Sequence, residues 1–497
     1  MQAIFANLAL GFQTAFSWTN ILWVFIGGTL GTIIGMLPGL GPATGVAILI
    51  PITFGMNPAT ALITMAAVYY GAMFGGSRAS IMINTPGDAS AIVSCFDGYP
   101  MTRQGKAGTA LAISAIASFI GGMIGMLFLV FLTQPIAAAA LKFGPAEMFS
   151  LMLFALVATI TLSEGNLLKG ALAICIGLML STVGIDALTG IVRFTYGMTA
   201  LNDGIDFLVV IIGVYAVTEV YKNYKAIDAK YSFDSKHIGK VRVSWPEFKR
   251  SLWPMLRSSP LGFVIGVLPG MGGTIATFMS YAMEKNISKH PEEFGKGAIE
   301  GLAAPEAANN ACSCGAMVPL LTLGIPGSGT TAVMLGALML LGVKPGPTLF
   351  TDHPEIAWGV IASMLIGNII LIIINLPLAV PLVQLLRVPQ RIMLPLILGL
   401  ALIGAYFLNY SSSDLILVMI SGVVGYIFVI LGIPLPPLVL ALILGETTET
   451  TLRNSLVLSD GNISIFFQKP ISAVFIALAA ISLVYALIRN KRNQSAA

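Results

Sequence analysis

Hydrophobic positions follow one another over most of this chain, with few of the polar interruptions that mark a half-buried helix or strand. Residues 110–133, 167–180, 358–380 and 471–488 are predominantly apolar. A helix that crosses a bilayer needs about 20 apolar residues, so the pattern predicts about ten to twelve spans, with shorter re-entrant pieces between them.

The interruptions fall at particular places. The first reads Gly31-Thr-Ile-Ile-Gly35-Met-Leu-Pro38-Gly39-Leu-Gly41-Pro-Ala-Thr44. The second, 231 positions on (31 to 262), reads Gly262-Phe-Val-Ile-Gly266-Val-Leu-Pro269-Gly270-Met-Gly272-Gly-Thr274. Each runs a helix-like apolar stretch into a Pro-Gly-x-Gly break. In hydrocarbon an unpaired backbone amide or carbonyl costs several kcal/mol, so broken helices persist only where protein or a watery cavity satisfies them. Breaks at matching places in two halves point to a transporter's central binding site.

Each copy is followed by a second break, Ile83-Asn84-Thr85-Pro86-Gly87-Asp88 and Leu323-Gly324-Ile325-Pro326-Gly327-Ser328. The flanking apolar stretches are too short to span alone, which predicts helical hairpins that enter the membrane and turn back. Pro fixes φ, Gly permits positive φ, and Asn, Ser and Thr satisfy nearby backbone groups. Ile116-Ala-Ser118 and Ile361-Ala-Ser363 also correspond. The reading is an all-α polytopic membrane protein: an N-terminal helix at 1–18, membrane repeats at 19–221 and 258–410, a connector at 222–257, and a helical extension at 411–497.

Composition agrees. Of 497 residues 56% are hydrophobic and 10% charged, against about 25% charged in soluble domains. No charged residue precedes Arg78, and residues 1–17 lack the basic start of a signal peptide. Trp18 and Trp23 are candidate interface anchors. The connector carries Lys222, Lys225, Lys230, Lys236, Lys240, Arg242, Lys249, Arg250 and Arg257 against Asp228, Asp234 and Glu247. The positive-inside rule places it, and the tail with Arg489, Lys491 and Arg492, in the cytoplasm. The cysteines Cys95, Cys175, Cys312 and Cys314 form no C-x-x-C pair and read as small packing residues. A net charge of +4 reflects basic loops and gives no reason to invoke nucleic acid.

Each break leaves a half-helix N-terminus with free N–H groups and about half an elementary charge. Such ends bind carboxylates without a buried Lys or Arg, while unwound carbonyls and hydroxyls beside them suit Na⁺. The expected substrate contacts are Asn84, Thr85, Pro86 and Gly87 with Gly324, Pro326, Gly327, Ser328 and Thr330, and in a second tier Asn309 and Asn310. The expected ion site draws on Pro38, Gly39, Gly41, Thr44, Pro269, Gly270, Gly272 and Thr274. The plainer alternative is that these glycines only let helices pack closely; four paired Pro-Gly breaks weigh against it. Among Arg78, Asp88, Asp186, Arg193, Glu306, Asp414, Glu446 and Glu449, only Arg78, Asp88 and Glu306 flank the breaks. Those three stand between ligand contact and structural pairing. His237, His290 and His353 lie in polar stretches.

Some matches carry no chemistry. Gly327-Ser-Gly329-Thr-Thr-Ala332 fits a dinucleotide fingerprint but lacks the preceding strand. Gly105-Lys106 and Gly295-Lys296 are followed by Ala107 and Gly297, so no Walker A loop exists there. An intramembrane aspartyl protease needs paired Asp motifs, and Thr85-Pro-Gly-Asp88 lacks the first Gly of G-x-G-D. Serine types need a Ser–His or Ser–Lys pair in spans, and no His lies in one. A pure scaffold would not keep broken helices in lipid. The chain reads as a non-enzyme without a catalytic residue or cofactor beyond a coupling Na⁺.

The motifs resemble a known family, the large membrane subunit (TctA) of bacterial tripartite tricarboxylate transporters. The resemblance rests on Gly35-Met-Leu-Pro-Gly-Leu-Gly41, Ile83-Asn-Thr-Pro-Gly-Asp88, Asp97-Gly-Tyr-Pro-Met101 and Gln104-Gly-Lys-Ala-Gly108. It continues in Phe294-Gly-Lys-Gly-Ala-Ile-Glu-Gly301, Ala304-Pro-Glu-Ala-Ala-Asn-Asn310, Leu323-Gly-Ile-Pro-Gly327, Pro434-Leu-Pro-Pro437 and Leu444-Gly-Glu446. Asp88, where Glu is expected as often, is a mild variation. Membership implies an inner-membrane carrier working with a small four-helix membrane subunit (TctB-like) and a periplasmic substrate-binding protein (TctC-like). It also implies ion-driven uptake of small di- or tricarboxylates such as citrate, and an inverted-repeat, elevator-type transport domain. A stand-alone ion-coupled organic-anion carrier is the alternative, and Na⁺ and H⁺ coupling both stay open.

Overall fold

The computed structural model describes residues 2–37, 40–53, 55–162, 167–186, 188–224, 238–270, 272–388 and 390–496. Pro38, Gly39 and residues 225–237 of the basic connector lie outside the described residues.

Two helix pairs form the centre. Trp18–Met36 packs along Pro58–Ile83, and Trp245–Val267 packs along Ile299–Leu323. Glycines set the separation in both. A Cβ at Gly31 would lie 2.2 Å from the Val68 carbonyl oxygen, and one at Gly35 2.3 Å from that of Ala72. In the second pair Gly262 meets the Ala308 oxygen and Gly266 that of Cys312, both at 2.1 Å. With no side chain in the way, backbones touch, and dispersion takes the place of the hydrophobic drive that lipid removes.

The long helix Ala107–Ala140 packs chiefly against Ile299–Leu323, and Pro354–Asn375 packs against Gln2–Ala15 and Pro58–Ile83, so each half lends a helix to the other. Buried polar groups stitch this crossing. Arg78 donates from Nη2 to the Asn375 carbonyl at 2.8 Å and from Nη1 to that of Phe74. The Glu306 carboxylate accepts the hydroxyls of Ser94, Ser114 and Ser118, the last two at 3.2 Å. Such groups survive burial because they find partners.

Flanking this centre, Pro145–Leu162 and Leu167–Ser181 pack with Leu435–Leu458 and Pro470–Ala496. The segment Phe207–Tyr224 lies along Ser412–Ile430. It is interrupted by a π-turn at Gly213–Val217, where glycine lets the neighbouring helix come close: a Cβ at Gly213 would meet the Val418 oxygen at 2.5 Å.

Among the described residues eight helices are long and apolar enough to cross a membrane, fewer than the apolar runs predict. Several runs end early as helices of 12 to 15 residues, including Gly41–Thr53, Leu167–Ser181 and Gly329–Leu340. Ile299–Leu323 is long enough but carries Glu300, Glu306, Asn309 and Asn310, and it is buried in protein. The protein is an all-α polytopic membrane protein with one small exception among the described residues. Gly184–Ile185 pairs antiparallel with Val192–Arg193 in a hairpin. Its turn is closed by Asp186, whose Oδ1 accepts the Leu188 and Thr189 amides at 2.8 and 3.2 Å.

Candidate functional site

The four breaks come in two matched conformations. The helices before the first break of each half end on Leu37 (φ −81°, ψ 123°) and Leu268 (φ −81°, ψ 122°). Chain direction then changes at positive φ, 47° at Gly41 and 61° at Gly272, and the helices Gly41–Thr53 and Gly272–Ile287 begin. At the hairpin tips, 240 positions apart (84 to 324), Asn84 (53°, 31°) and Gly324 (69°, 27°) end the incoming helices in the left-handed region. Asp88 (−146°, 177°) and Ser328 (−151°, 168°) are the extended residues before the returning helical segments. Asn tolerates the left-handed region better than most residues with a side chain, which is why it can stand where the other half has Gly.

The breaks satisfy much of their own backbone. Gly87 donates to the Gly76 carbonyl at 3.3 Å and Ile325 to that of Pro319 at 3.1 Å. Gly270 donates to the Gly327 carbonyl at 3.2 Å, joining the two breaks of the second half. Ser328 caps the Gly329–Leu340 helix through the Thr331 amide, and Thr331 Oγ1 answers by accepting the Ser328 amide at 2.8 Å.

All four converge on one cavity of about 760 Å³, a size usual for a small-molecule site. It is lined by Gly41 and Thr44, by Pro86, Gly87 and Asp88, by Gly270, Gly272 and Thr274, and by Pro326, Ser328 and Thr330. The π-turn segment, with Val214, Tyr215, Thr218, Glu219 and Lys222, and residues 432–436 complete the lining. Four helical segments start at this cavity; the α-helices Gly41–Thr53, Gly272–Ile287 and Gly329–Leu340 each contribute about half an elementary charge, and the fourth is the short 3-10 turn Ala89–Ala91. Among the described residues the charged lining side chains are Asp88, Glu219 and Lys222, and Lys222 Nζ is already paired with Glu219 at 2.8 Å. Attraction for an anion therefore comes chiefly from backbone.

Other expected residues lie around the cavity without lining it. Asn84 and Gly324 serve as helix ends, and Thr85 Oγ1 donates to the Ile83 carbonyl at 3.2 Å. Gly327 is pressed on Gly266 and Ala316, and Pro269 stands just before the lining. Asn310 donates to the Glu306 carbonyl at 3.1 Å, inside its own helix. Asn309 points its Oδ1 toward Gly273. Arg78 and Glu306 sit in the helix crossing and outside the cavity lining, Arg78 bonded to the Phe74 and Asn375 carbonyls and Glu306 to three serine hydroxyls.

Sequence reasoning passed over Tyr69, Ser90 and Tyr215. The Tyr69 hydroxyl lies 3.4 Å from Ser328 Oγ. Tyr215 Oη is buried and finds no hydrogen-bond partner among the described residues, and a π-turn is a frequent mark of functional sites. A tyrosine pair inside an apolar helix was the available signal for Tyr69; Tyr215 offered none.

The sequence matches the family model described as "Tripartite tricarboxylate transporter TctA family" over residues 21–440. An Agrobacterium vitis protein described as "Uncharacterized 52.8 kDa protein in TAR-I ttuC' 3'region" is 43% identical over 497 residues, covering 99% of each chain. A second protein of that organism, "Uncharacterized protein in TAR-II ttuC' 3'region", is 44% identical over 236 residues, 47% of this chain and 98% of its own. No solved structure matches. A cavity ringed by four helix breaks thus stands in a chain that belongs to the tripartite tricarboxylate transporter TctA family.

Proposed function

We propose that this chain is the membrane subunit that moves small di- or tricarboxylates inward, driven by a Na⁺ or H⁺ gradient. The observation that carries this reading is the meeting of four helix starts at one cavity. A carboxylate there is held by N–H dipoles and hydroxyls at about half a charge per α-helix end, with no unpaired Lys or Arg among the described lining residues. The Pro86–Gly87 and Pro326–Thr330 tips hold substrate, and the Gly41–Thr44 and Gly270–Thr274 breaks supply oxygens for the coupling ion.

Matching dihedrals and matching glycine contacts support two structural repeats, which in this reading are inverted in the membrane. Residues of the broken helices and of the segments 214–222 and 432–436 share the lining, and elevator movement of the hairpins against those segments would give the site access to both sides. The working complex adds a TctB-like small membrane subunit and a TctC-like periplasmic binding protein in the bacterial inner membrane, with connector and C-terminus cytoplasmic. Uptake of labelled citrate and a panel of dicarboxylates by proteoliposomes tests this. Transport should need both partners and a cation gradient, and should fall strongly in Ser328→Ala with Thr330→Ala. Full uptake by the isolated chain would show a stand-alone carrier; full uptake by the double variant would remove the substrate from the tips.

A further inference from the structure

The 240-position offset (84 to 324) that relates the hairpin tips also relates two corners of the cavity, and the corners differ in charge. Tyr69 corresponds to Asn309, Asp88 to Ser328, and Ser90 to Thr330. One corner is formed by Tyr69 of the first half against Ser328 of the second, with hydroxyls 3.4 Å apart and no formal charge. The other is formed by Asn309 of the second half near Asp88 and Ser90 of the first. There Ser90 Oγ donates to Asp88 Oδ2 at 2.8 Å. Asn309 is 3% exposed, and its Oδ1 has no hydrogen-bond partner among the described residues.

Gly273 opens the space between them. A Cβ built there would lie 2.5 Å from Asn309 Oδ1 and 3.6 Å from Ser90 Oγ. On the other side Asp88 Oδ1 lies 3.1 Å from where a Cβ at Gly76 would be. A carboxylate at this place could serve only to complement the helix starts. That leaves the Asn309 oxygen unexplained, because an acceptor directed at helix N–H groups would be satisfied by them. A carboxylate, a hydroxyl and an amide oxygen around a gap are the donor set of a hard cation.

We propose that the Asp88 corner is a monovalent cation site of the sodium class, with Asp88, Ser90 and Asn309 as oxygen ligands, and that the uncharged Ser328 corner receives the substrate carboxylate. This rests on the transport reading above for the anion, and it adds side-chain ligands to the oxygens of the adjoining Gly270–Thr274 break, where Gly273 faces Asn309 and Ser90. A carboxylate entering beside an unneutralised Asp88 meets a like charge; the cation removes that repulsion. Cation and anion therefore raise each other's affinity, and the coupling is reciprocal.

The test follows melting of the purified full chain as NaCl replaces choline chloride at constant ionic strength and pH, with and without citrate. A ligand that binds only the folded state stabilises it in a saturable way. Sodium should raise the melting temperature of the wild type, and the rise should vanish in the near-isosteric Asp88→Asn. It should weaken about tenfold, roughly one lost charged contact, in Asn309→Ala. Gly273→Ala fills the gap with every ligand retained and should also lose the response. Ser328→Ala should keep the sodium response and lose that to citrate. A wild-type sodium dependence persisting in Asp88→Asn, an equal response to choline, or full replacement of sodium by acid would overturn the site. Loss of the citrate response alone in the wild type would instead fault the transport reading.

Discussion

Tyr69 Oη and Ser328 Oγ stand 3.4 Å apart, linking the helix that leads into the first hairpin to the tip of the second. Ser328 also caps the Gly329–Leu340 helix, so the two roles of its hydroxyl can be separated. Tyr69→Phe should leave the melting temperature nearly unchanged while weakening citrate binding about three- to tenfold, the worth of one neutral hydrogen bond. Ser328→Ala should in addition cost about 1 kcal/mol of stability through the lost cap. Binding and melting measured on both variants check the distinction.

Gly35 and Gly266 occupy equivalent contacts, each with its would-be Cβ within 2.3 Å of a carbonyl oxygen. Backbone cannot yield as a side-chain tip can. Either Gly→Ala change should therefore destabilise by about 3 kcal/mol, at the upper end of overpacking costs. Melting in detergent should show losses of similar size for the two; a neutral result for one would remove the equivalence.

At the hairpin outside the spans, the Leu188 amide first, then Arg453, with Thr189 and Arg193, hold the Asp186 carboxyl at about 2, below its ordinary 3.8. Arg193 and Arg453 also pair with Glu449 at 2.8 Å and in a second short contact. A depressed acid stabilises the folded form at every pH above its unfolded value. That contribution fades as pH falls from about 4 toward 2. Proteolysis of residues 182–206 should accelerate over that window, and Asp186→Asn should cut readily already at neutral pH.

Glu306 is the shared acceptor of three serine hydroxyls in the helix crossing. Glu306→Leu leaves those donors buried without it, at about 1–3 kcal/mol for each group left unsatisfied. It should lower melting strongly, whereas Ser114→Ala alone should cost about 1 kcal/mol.

The helix breaks were legible because Pro-Gly-x-Gly in an apolar run admits few backbone solutions. Their convergence was legible because two halves repeat them. The chemistry of the corners was not. Asn309 acquires its meaning from Gly273 and Ser90, and Tyr69 from Ser328, partners far along the chain that no local pattern connects. The π-turn that presents Tyr215 has no sequence signature beyond Gly213. The short hairpin was hidden because Ile185 and Val192 read as membrane sequence, although Asp186 and Gly190 carry the turn. Apolar runs show composition but not where a helix stops, as at Leu340, so they outnumber the eight spanning-length helices among the described residues.

The exchange of helices between halves also dictates an order of events during synthesis. Ala107–Ala140 finds its main partner in Ile299–Leu323, which leaves the ribosome well over a hundred residues later. Until then the face bearing Gly121, whose Cβ would sit 2.1 Å from the Ala307 oxygen in the finished protein, must rest against lipid or another subunit. Completion of the second half is therefore what closes that face against protein.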